Sequence, residues 1–242
     1  VCSVGTAGAP GATGATGQQG LTGATGPQGP AGIAPHYANV VVVAKSGGDF
    51  TDPVAAVNSI TDASENNPYL IKIMPGIYNI DAQTIFLPQY IDIEGCGSNI
   101  TKIISSGENS LLRVAADSVI RDISLEGPSF TVWSDTGCSF KNTTIRGGNA
   151  VVGVNGTTYI DDSVIIASHN WPGNAVTIYN DATVRINNSR IKGENVDTVT
   201  NNNNGITYIS NTMIEMSGFS NPSVGAKCFN VFNENLDPIC QY

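Results

Sequence analysis

From residue 119 onward, apolar and polar positions recur in a nine-residue frame: VIRDISLEG at Val119, SFKNTTIRG at Ser139, YIDDSVIIA at Tyr159, RINNSRIKG at Arg185 and YISNTMIEM at Tyr208. The second position is always apolar (Ile120, Phe140, Ile160, Ile186, Ile209), and so is the seventh (Leu125, Ile145, Ile165, Ile191, Ile214). Side chains alternate along a strand, so positions five apart cannot share one face of a straight strand. A bend must lie between them. The fourth position supplies it with Asp122, Asn142, Asp162, Asn188 and Asn211, residue types that tolerate left-handed backbone. These five lie 20, 20, 26 and 23 residues apart. A period near 20 built from short strands predicts a β-solenoid with a polar ladder along one corner.

The preceding segment predicts the start of the same solenoid. YANVVVVA (Tyr37–Ala44) is a β-branched run that reads as a strand, and Ser46-Gly47-Gly48 reads as a turn. Asp52-Pro53 has the form of an N-cap followed by a first-turn proline, and Val54, Val57 and Ile60 then fall on one side of a short helix. An open solenoid end needs such a polar-faced cap. Tyr69–Met74 and Ile77–Ile80 read as strands on either side of Pro75-Gly76, and Tyr90–Gly95 closes a coil.

Two stretches carry a resemblance. VAKSGGDFTDPVAAVNSI (Val43–Ile60) followed by PGIY (Pro75–Tyr78) resembles the opening of the pectin-lyase-like right-handed parallel β-helix superfamily, in particular its pectinesterase-like members, over roughly residues 40 to 100. KCFNVFNENLDPIC (Lys227–Cys240) resembles the ending of uncharacterised secreted bacterial proteins that carry such β-helices, including collagen-like ones. The resemblance implies an all-β right-handed parallel β-helix. It does not carry the esterase chemistry, which needs two aspartates, an arginine and two glutamines: no GxQD-type or DTLY-like stretch is present, and Gln83 and Gln89 stand in other contexts. Asp161-Asp162, His169 and Arg190-Ile191-Lys192 follow the order of a polygalacturonase's DD, GHG and RIK elements. Only seven residues separate Asp162 from His169, too few for another coil, and neighbouring Asp161 and Asp162 project differently at a bend.

Other candidates have plain structural readings beside the functional ones. Asp92 and Glu94 share a strand face and could be half of a glycosidase pair, or simply a solvated face. Trp133, Trp171 and Tyr179 could stack on sugar rings or anchor loops. Asn99, Asn142, Asn155 and Asn187 begin glycosylation sequons, as expected by chance in an Asn- and Thr-rich chain. Asn201–Asn204 before Gly205 reads as a turn that could bind a cation. No residue set calls for a cofactor, a metal or a catalytic role, and no nucleophile elbow or phosphate loop occurs.

The N-terminal region obeys a different period. Glycine stands at Gly5, Gly8, Gly11, Gly14, Gly17, Gly20, Gly23, Gly26, Gly29 and Gly32 without a miss. Only glycine fits at the axis of a collagen triple helix, so residues 1–35 predict a trimeric stem and residues 36–242 the β-helix head. Fully wound, the stem would reach roughly 90 Å. It holds only Pro10, Pro27 and Pro30 and no charge between Gly5 and Ala34, so it depends on help at its ends. The alternative is a flexible linker, which has no reason to keep phase.

Composition narrows the partners. A net charge of −9 with 13% charged residues argues against nucleic acid and anionic membrane surfaces. The longest apolar run considered, Val40–Ala44, falls far short of a membrane span. Five cysteines without metal-ligand spacing read as disulfides: Cys228 with Cys240 first, Cys96 with Cys138 second. Cys2 is left over, either linking neighbouring protomers or a terminal thiol. Val1 fits a processed secreted protein or a trimmed one.

Together these features predict a secreted structural protein that is not an enzyme: a homotrimer whose stem and head build an extracellular filament, the stem of one trimer docking into the heads of the next. The second class is a trimeric spike that binds or degrades surface glycans. Such a spike would show an outward groove lined by carboxylates and aromatics.

Overall fold

The chain divides into two units, Val1–Pro35 and His36–Tyr242. The computed structural model describes residues 12, 14, 37, 39–115, 118–167, 176–178, 182–193, 199–201, 205–216, 226–232, 235 and 238–240. Of the stem glycines only Gly14 is among them; the other nine, Cys2, and with them the predicted triple helix, lie outside the described residues.

The second unit is an all-β parallel solenoid made of three sheets. Sheet one stacks nine strands in the order Asn39–Val43, Tyr69–Ile73, Ile91–Glu94, Ser118–Arg121, Cys138–Lys141, Thr157–Asp161, Thr183–Asn187, Ile206–Ser210 and Ala226–Phe229. Sheet three also has nine strands, Gly76–Asn79 at one edge and Pro238–Cys240 at the other, and contains the second half of every nine-residue repeat. Sheet two, with six strands from Ile85–Leu87 to Val199–Asn201, occupies the stretches between repeats. The period near 20 therefore covers three strands per coil, where the repeat alone shows only two and a bend.

The core follows from the register. Ile93 pairs with Ile120, Ile120 with Phe140, Phe140 with Ile160, Ile160 with Ile186 and Ile186 with Ile209, so the second positions form one continuous column. The seventh positions pair likewise from Leu125 to Ile214. Both columns are buried throughout, and each fully buried side chain contributes about 1.5–3 kcal/mol. Sheet two adds Leu87, Val114, Val132 and Val151 to the same interior.

The corner between sheets one and three is a double ladder. Asp122, Asn142, Asp162, Asn188 and Asn211 all take positive φ, between 46° and 56°, and Asn230 continues the series at 55°. Their side chains bond outside: Asn142 Nδ2 donates to Asp122 Oδ1 and Asn188 Nδ2 to Asp162 Oδ1, both at 2.6 Å, and Asn230 Nδ2 donates to Asn211 Oδ1 at 2.9 Å. The fifth positions point inward, Ile123 first and then Thr143, Ser163, Ser189 and Thr212 as a buried hydroxyl ladder, in which the Thr143 N–H donates to Ser163 Oγ at 3.1 Å and the Ser163 N–H to Ser189 Oγ at 3.1 Å. One coil earlier, Gly95 stands beside Asp122, and a Cβ there would sit 2.2 Å from the Asp122 carbonyl oxygen.

Helix α1, Pro53–Ser59, covers the first coil. Asp52 caps it by accepting the Val54 N–H at 3.0 Å, and the helix packs on the strands Asn39–Val43, Tyr69–Ile73 and Ile85–Leu87. Val54, Val57 and Ile60 are its buried side.

The expected Cys96–Cys138 bridge is absent. Cys96 follows the third strand of sheet one and Cys138 begins the fifth, with Ser118–Arg121 between them. Two strand spacings are about 9.5 Å, beyond the reach of a disulfide. The Cys96 thiol instead faces the Ile73 carbonyl at 3.6 Å, and the Cys138 thiol lies 3.5 Å from Ser134 Oγ. At the C-terminus, Pro238–Cys240 returns antiparallel to Val231–Phe232 and brings the Cys240 backbone opposite Val231, three residues after Cys228.

Candidate functional face

The outer side of sheet one gathers most of the chemistry the repeats present. At its N-terminal end, Asp92 and Glu94 do share one strand face, half-buried. Tyr37 Oη donates to Asp92 Oδ2 at 2.6 Å, and Asp92 Oδ1 accepts the Val119 N–H at 2.8 Å. Arg121 donates from Nε to Glu94 Oε2 at 2.8 Å, also engages that oxygen through Nη2, and reaches Tyr37 Oη from Nη1 at 3.2 Å. Lys72 Nζ donates to Glu94 Oε1 at 2.5 Å and to the Gly95 carbonyl at 2.8 Å.

Five side chains thus form a closed clasp across four strands' worth of sequence. Burial, and then the hydrogen bond to Asp92, push the Tyr37 hydroxyl up to about 12. Burial would raise Glu94, but the hydrogen bonds from Lys72 and Arg121 outweigh it and hold the carboxyl below its usual range. Glycoside hydrolysis by an acid pair needs one carboxyl kept protonated near neutral pH. Glu94 is held the opposite way.

Toward the C-terminal end the same face changes character. The first positions of the repeats pair in register, Ser139 with Tyr159, Tyr159 with Arg185, Arg185 with Tyr208 and Tyr208 with Lys227, so they form one row along the stack. Tyr159 is 45% exposed, and Arg185 and Lys227 are exposed. Arg185 lies over the Tyr208 ring at 4.3 Å and Lys227 over the same ring at 5.5 Å. Beside this row runs the third-position row Asp161, Asn187, Ser210 and Phe229. Ser210 Oγ and Asn211 Nδ2 both donate to Asn187 Oδ1 at 3.1 Å, and Phe229 ends the row 73% exposed.

The sequence did not single out this row because its second and seventh columns carry the fold and attract the eye first. Its signal was the first position itself, which passes from Val119 and Ser139 to Tyr159, Arg185 and Tyr208. Lys227-Cys228-Phe229-Asn230 is a sixth copy of the repeat's first four positions, which the nine-residue frame missed.

The remaining candidates disperse. Trp133 lies on sheet two, where Nε1 donates to Asp135 Oδ1 at 2.9 Å; Arg113 forks the same carboxylate at 2.7 and 3.1 Å, and Phe130 meets the ring edge-on at 5.8 Å. That is an anchored tryptophan. Asp161 ends a strand of sheet one while Asp162 turns into the corner ladder, and Arg190 pairs with Glu215 on sheet three, so no shared site forms from them. Gln83 sits in the turn after Ile80 and Gln89 just ahead of Ile91–Glu94. Asn99 and Asn155 are exposed, whereas Asn142 and Asn187 are engaged in side-chain bonds. His169, Trp171, Tyr179 and 202–204 lie outside the described residues. Among the described residues, no group of three or more His, Cys, Asp or Glu is placed to hold a metal ion, and no helix is long and apolar enough to cross a membrane.

No family model and no curated protein matches this chain. Among solved structures, the chain is similar in fold to the pectin methylesterase PemA from Erwinia chrysanthemi, at 17% identity and a TM-score of 0.55, over 80% of this chain and 70% of that one. It is similar to ORF18 of Geobacillus virus E2 at 14% identity and a TM-score of 0.58, over 80% of this chain and 46% of the viral one. The catalytic domain of a GH87 alpha-1,3-glucanase, solved with tetrasaccharides, matches at 17% identity and a TM-score of 0.57, over 83% of this chain and 40% of the enzyme. These similarities establish the pectin-lyase-like β-helix fold.

Proposed function

We propose that this protein is an extracellular, stem-borne glycan-binding head, a spike-like module that holds a polysaccharide without transforming it. The observation that carries this reading is the row Tyr159, Arg185, Tyr208 and Lys227 on a rigid sheet, with Tyr159, Arg185 and Lys227 exposed and Tyr208 half-buried, flanked by Asn187 and Ser210. Aromatic rings on a fixed platform suit the apolar faces of sugars, and amide and hydroxyl groups beside them suit the sugar hydroxyls. The acid pair that the sequence offers for hydrolysis, Asp92 and Glu94, is tied up in the clasp, where the hydrogen bonds from Lys72 and Arg121 hold the Glu94 carboxyl below its usual range. A fold shared with a pectin methylesterase and an alpha-1,3-glucanase supports a carbohydrate role.

Retention of the full-length protein on a panel of immobilised polysaccharides tests this. Binding without release of reducing ends or methanol is expected, and Tyr159→Ala with Tyr208→Ala should abolish it at unchanged melting temperature. Turnover of any polysaccharide in the panel would replace this reading with an enzyme.

The unbroken Gly-X-Y period favours a second reading, a structural filament subunit built from homotrimers. Light scattering and electron microscopy of the native material separate the two: the filament reading requires polymers longer than one stem and head, and single trimers with glycan affinity leave only the spike.

A further inference from the structure

We infer that the polysaccharide taken by the first-position row is anionic, one bearing carboxylate or sulfate groups, with an acid group seated on Arg185 between Tyr159 and Tyr208. This rests on the reading of the row as a glycan platform and adds the ligand's charge.

The chain has 11 Lys and Arg against 20 Asp and Glu, so acids are in excess and a cation near the surface has partners to choose from. Lys72, Lys102, Arg113, Arg121 and Arg190 are taken by ion pairs. Six others, Lys45, Lys141, Arg146, Arg185, Lys192 and Lys227, have no ion pair among the described residues, and of these Arg185 and Lys227 both lean on the one Tyr208 ring, at 4.3 and 5.5 Å. Two like charges drawn to a single ring repel each other, and an anion bridging them removes that cost.

The surroundings on this face keep the balance positive. Asp161 is the acid in the neighbouring row, and its register partner on the preceding coil is Lys141. On the following coils Asp161 is succeeded by Asn187 and Ser210, which are neutral. The local charged set is therefore Lys141, Arg185 and Lys227 against Asp161 and the exposed corner carboxylate of Asp162 beside it. Elsewhere a protein of net charge −9 repels a polyanion, so a bound one is directed to this strip.

Spacing fits the same ligand. Tyr159 and Tyr208 lie two strands apart, about 9.5 Å, with Arg185 on the strand midway. A linear polymer laid along the stack can stack on the Tyr159 ring and present its acid to the guanidinium one strand on, while the Tyr208 ring underlies the two cations. The ring contact with Tyr208 holds the Arg185 guanidinium in place and leaves its N–H fork for a planar carboxylate or a sulfate. A neutral glycan would use the rings but would leave both cations uncompensated.

The test measures binding of the full-length protein to a polyglucuronate, to dextran sulfate and to neutral dextran, at low and high salt. Polyglucuronate and dextran sulfate are expected to bind and dextran to bind far more weakly. Arg185→Gln should weaken polyglucuronate binding about tenfold and leave dextran unchanged, whereas Lys192→Gln, a cation on sheet three, should change neither. Tyr159→Ala with Tyr208→Ala should weaken every ligand. Dextran binding as tightly as polyglucuronate with no effect of Arg185→Gln overturns the inference while the glycan platform stands. An equal loss from Lys192→Gln also overturns it, since the attraction is then diffuse. Failure of all three polymers to bind removes the platform reading as well.

Discussion

Asn142 donates from Nδ2 to Asp122 Oδ1 at 2.6 Å across one full coil, and both residues have left-handed backbones, with φ of 50° and 56°. One residue type thus satisfies two demands at the same place: it accepts the φ that turns sheet one into sheet three, and its side chain bonds the coil below. Alanine meets neither demand, and glycine meets only the first. Asn142→Ala is therefore expected to destabilise the head by about 1.5–3 kcal/mol, and Asn142→Gly by clearly less. Urea unfolding of the two variants checks this. An equal loss in both would place the whole effect in the hydrogen bond.

The clasp gives a pH dependence with a definite sign. The Tyr37 hydroxyl has a higher pKa in the folded protein, about 12, than its ordinary value of 10.0. Its neutral form is the one stabilised, so its contribution is complete below pH 10 and is lost as pH rises through about 12. Glu94 is shifted down from 4.5, so its contribution is present above that value and fades as pH falls through its lowered pKa. Tyr37→Phe should cost about 1 kcal/mol at neutral pH and nothing once the tyrosine would ionise. Paired melting curves at neutral and strongly alkaline pH decide it; a gap that widens with pH contradicts the clasp.

Gly156 sits at the other corner, leading into Thr157–Asp161, with φ of 70°. A Cβ there would lie 1.9 Å from the Thr136 carbonyl oxygen, a backbone atom that cannot step aside. Gly156→Ala is expected to cost about 2–4 kcal/mol. The neighbouring Asn155→Ala, at an exposed position, should change the melting temperature little.

Those three sites show what was legible in the chain and what was not. The ladder could be read because one residue per coil must satisfy a backbone demand that few types meet, which leaves a mark at the fourth position. The buried columns could be read because alternation is a local rule. Sheet two was not read, since LRV, FTVWS and NAVVG are short runs outside the nine-residue frame, and the column Val132, Val151 and Val176 precedes the ladder by 10, 11 and 12 residues, a signal visible only once the register is known. The clasp joins Tyr37 to Arg121 across 84 residues, and nothing local in either marks the other. The tyrosine and arginine row lay in the repeat frame, but a surface position is free to vary, and only the register shows that the varying residues line up.

The solenoid is capped by a helix at its first coil and by a strand return at its last. Its C-terminal end lacks a helix like Pro53–Ser59 among the described residues, and the job passes to the antiparallel return of Pro238–Cys240 onto Val231–Phe232. A two-strand return is marginal alone. Cys228 is buried in the second-position column beside Ile209, and the return carries the Cys240 backbone back to Val231. A bridge between the two cysteines would fix the return, with about 2–3 kcal/mol from closing so short a loop. Reductant should then lower the melting temperature of the native protein by several degrees and leave Cys228→Ser with Cys240→Ser unmoved, the double variant melting where the reduced protein does. A native protein indifferent to reductant would mean that hydrogen bonds and packing alone hold the end shut.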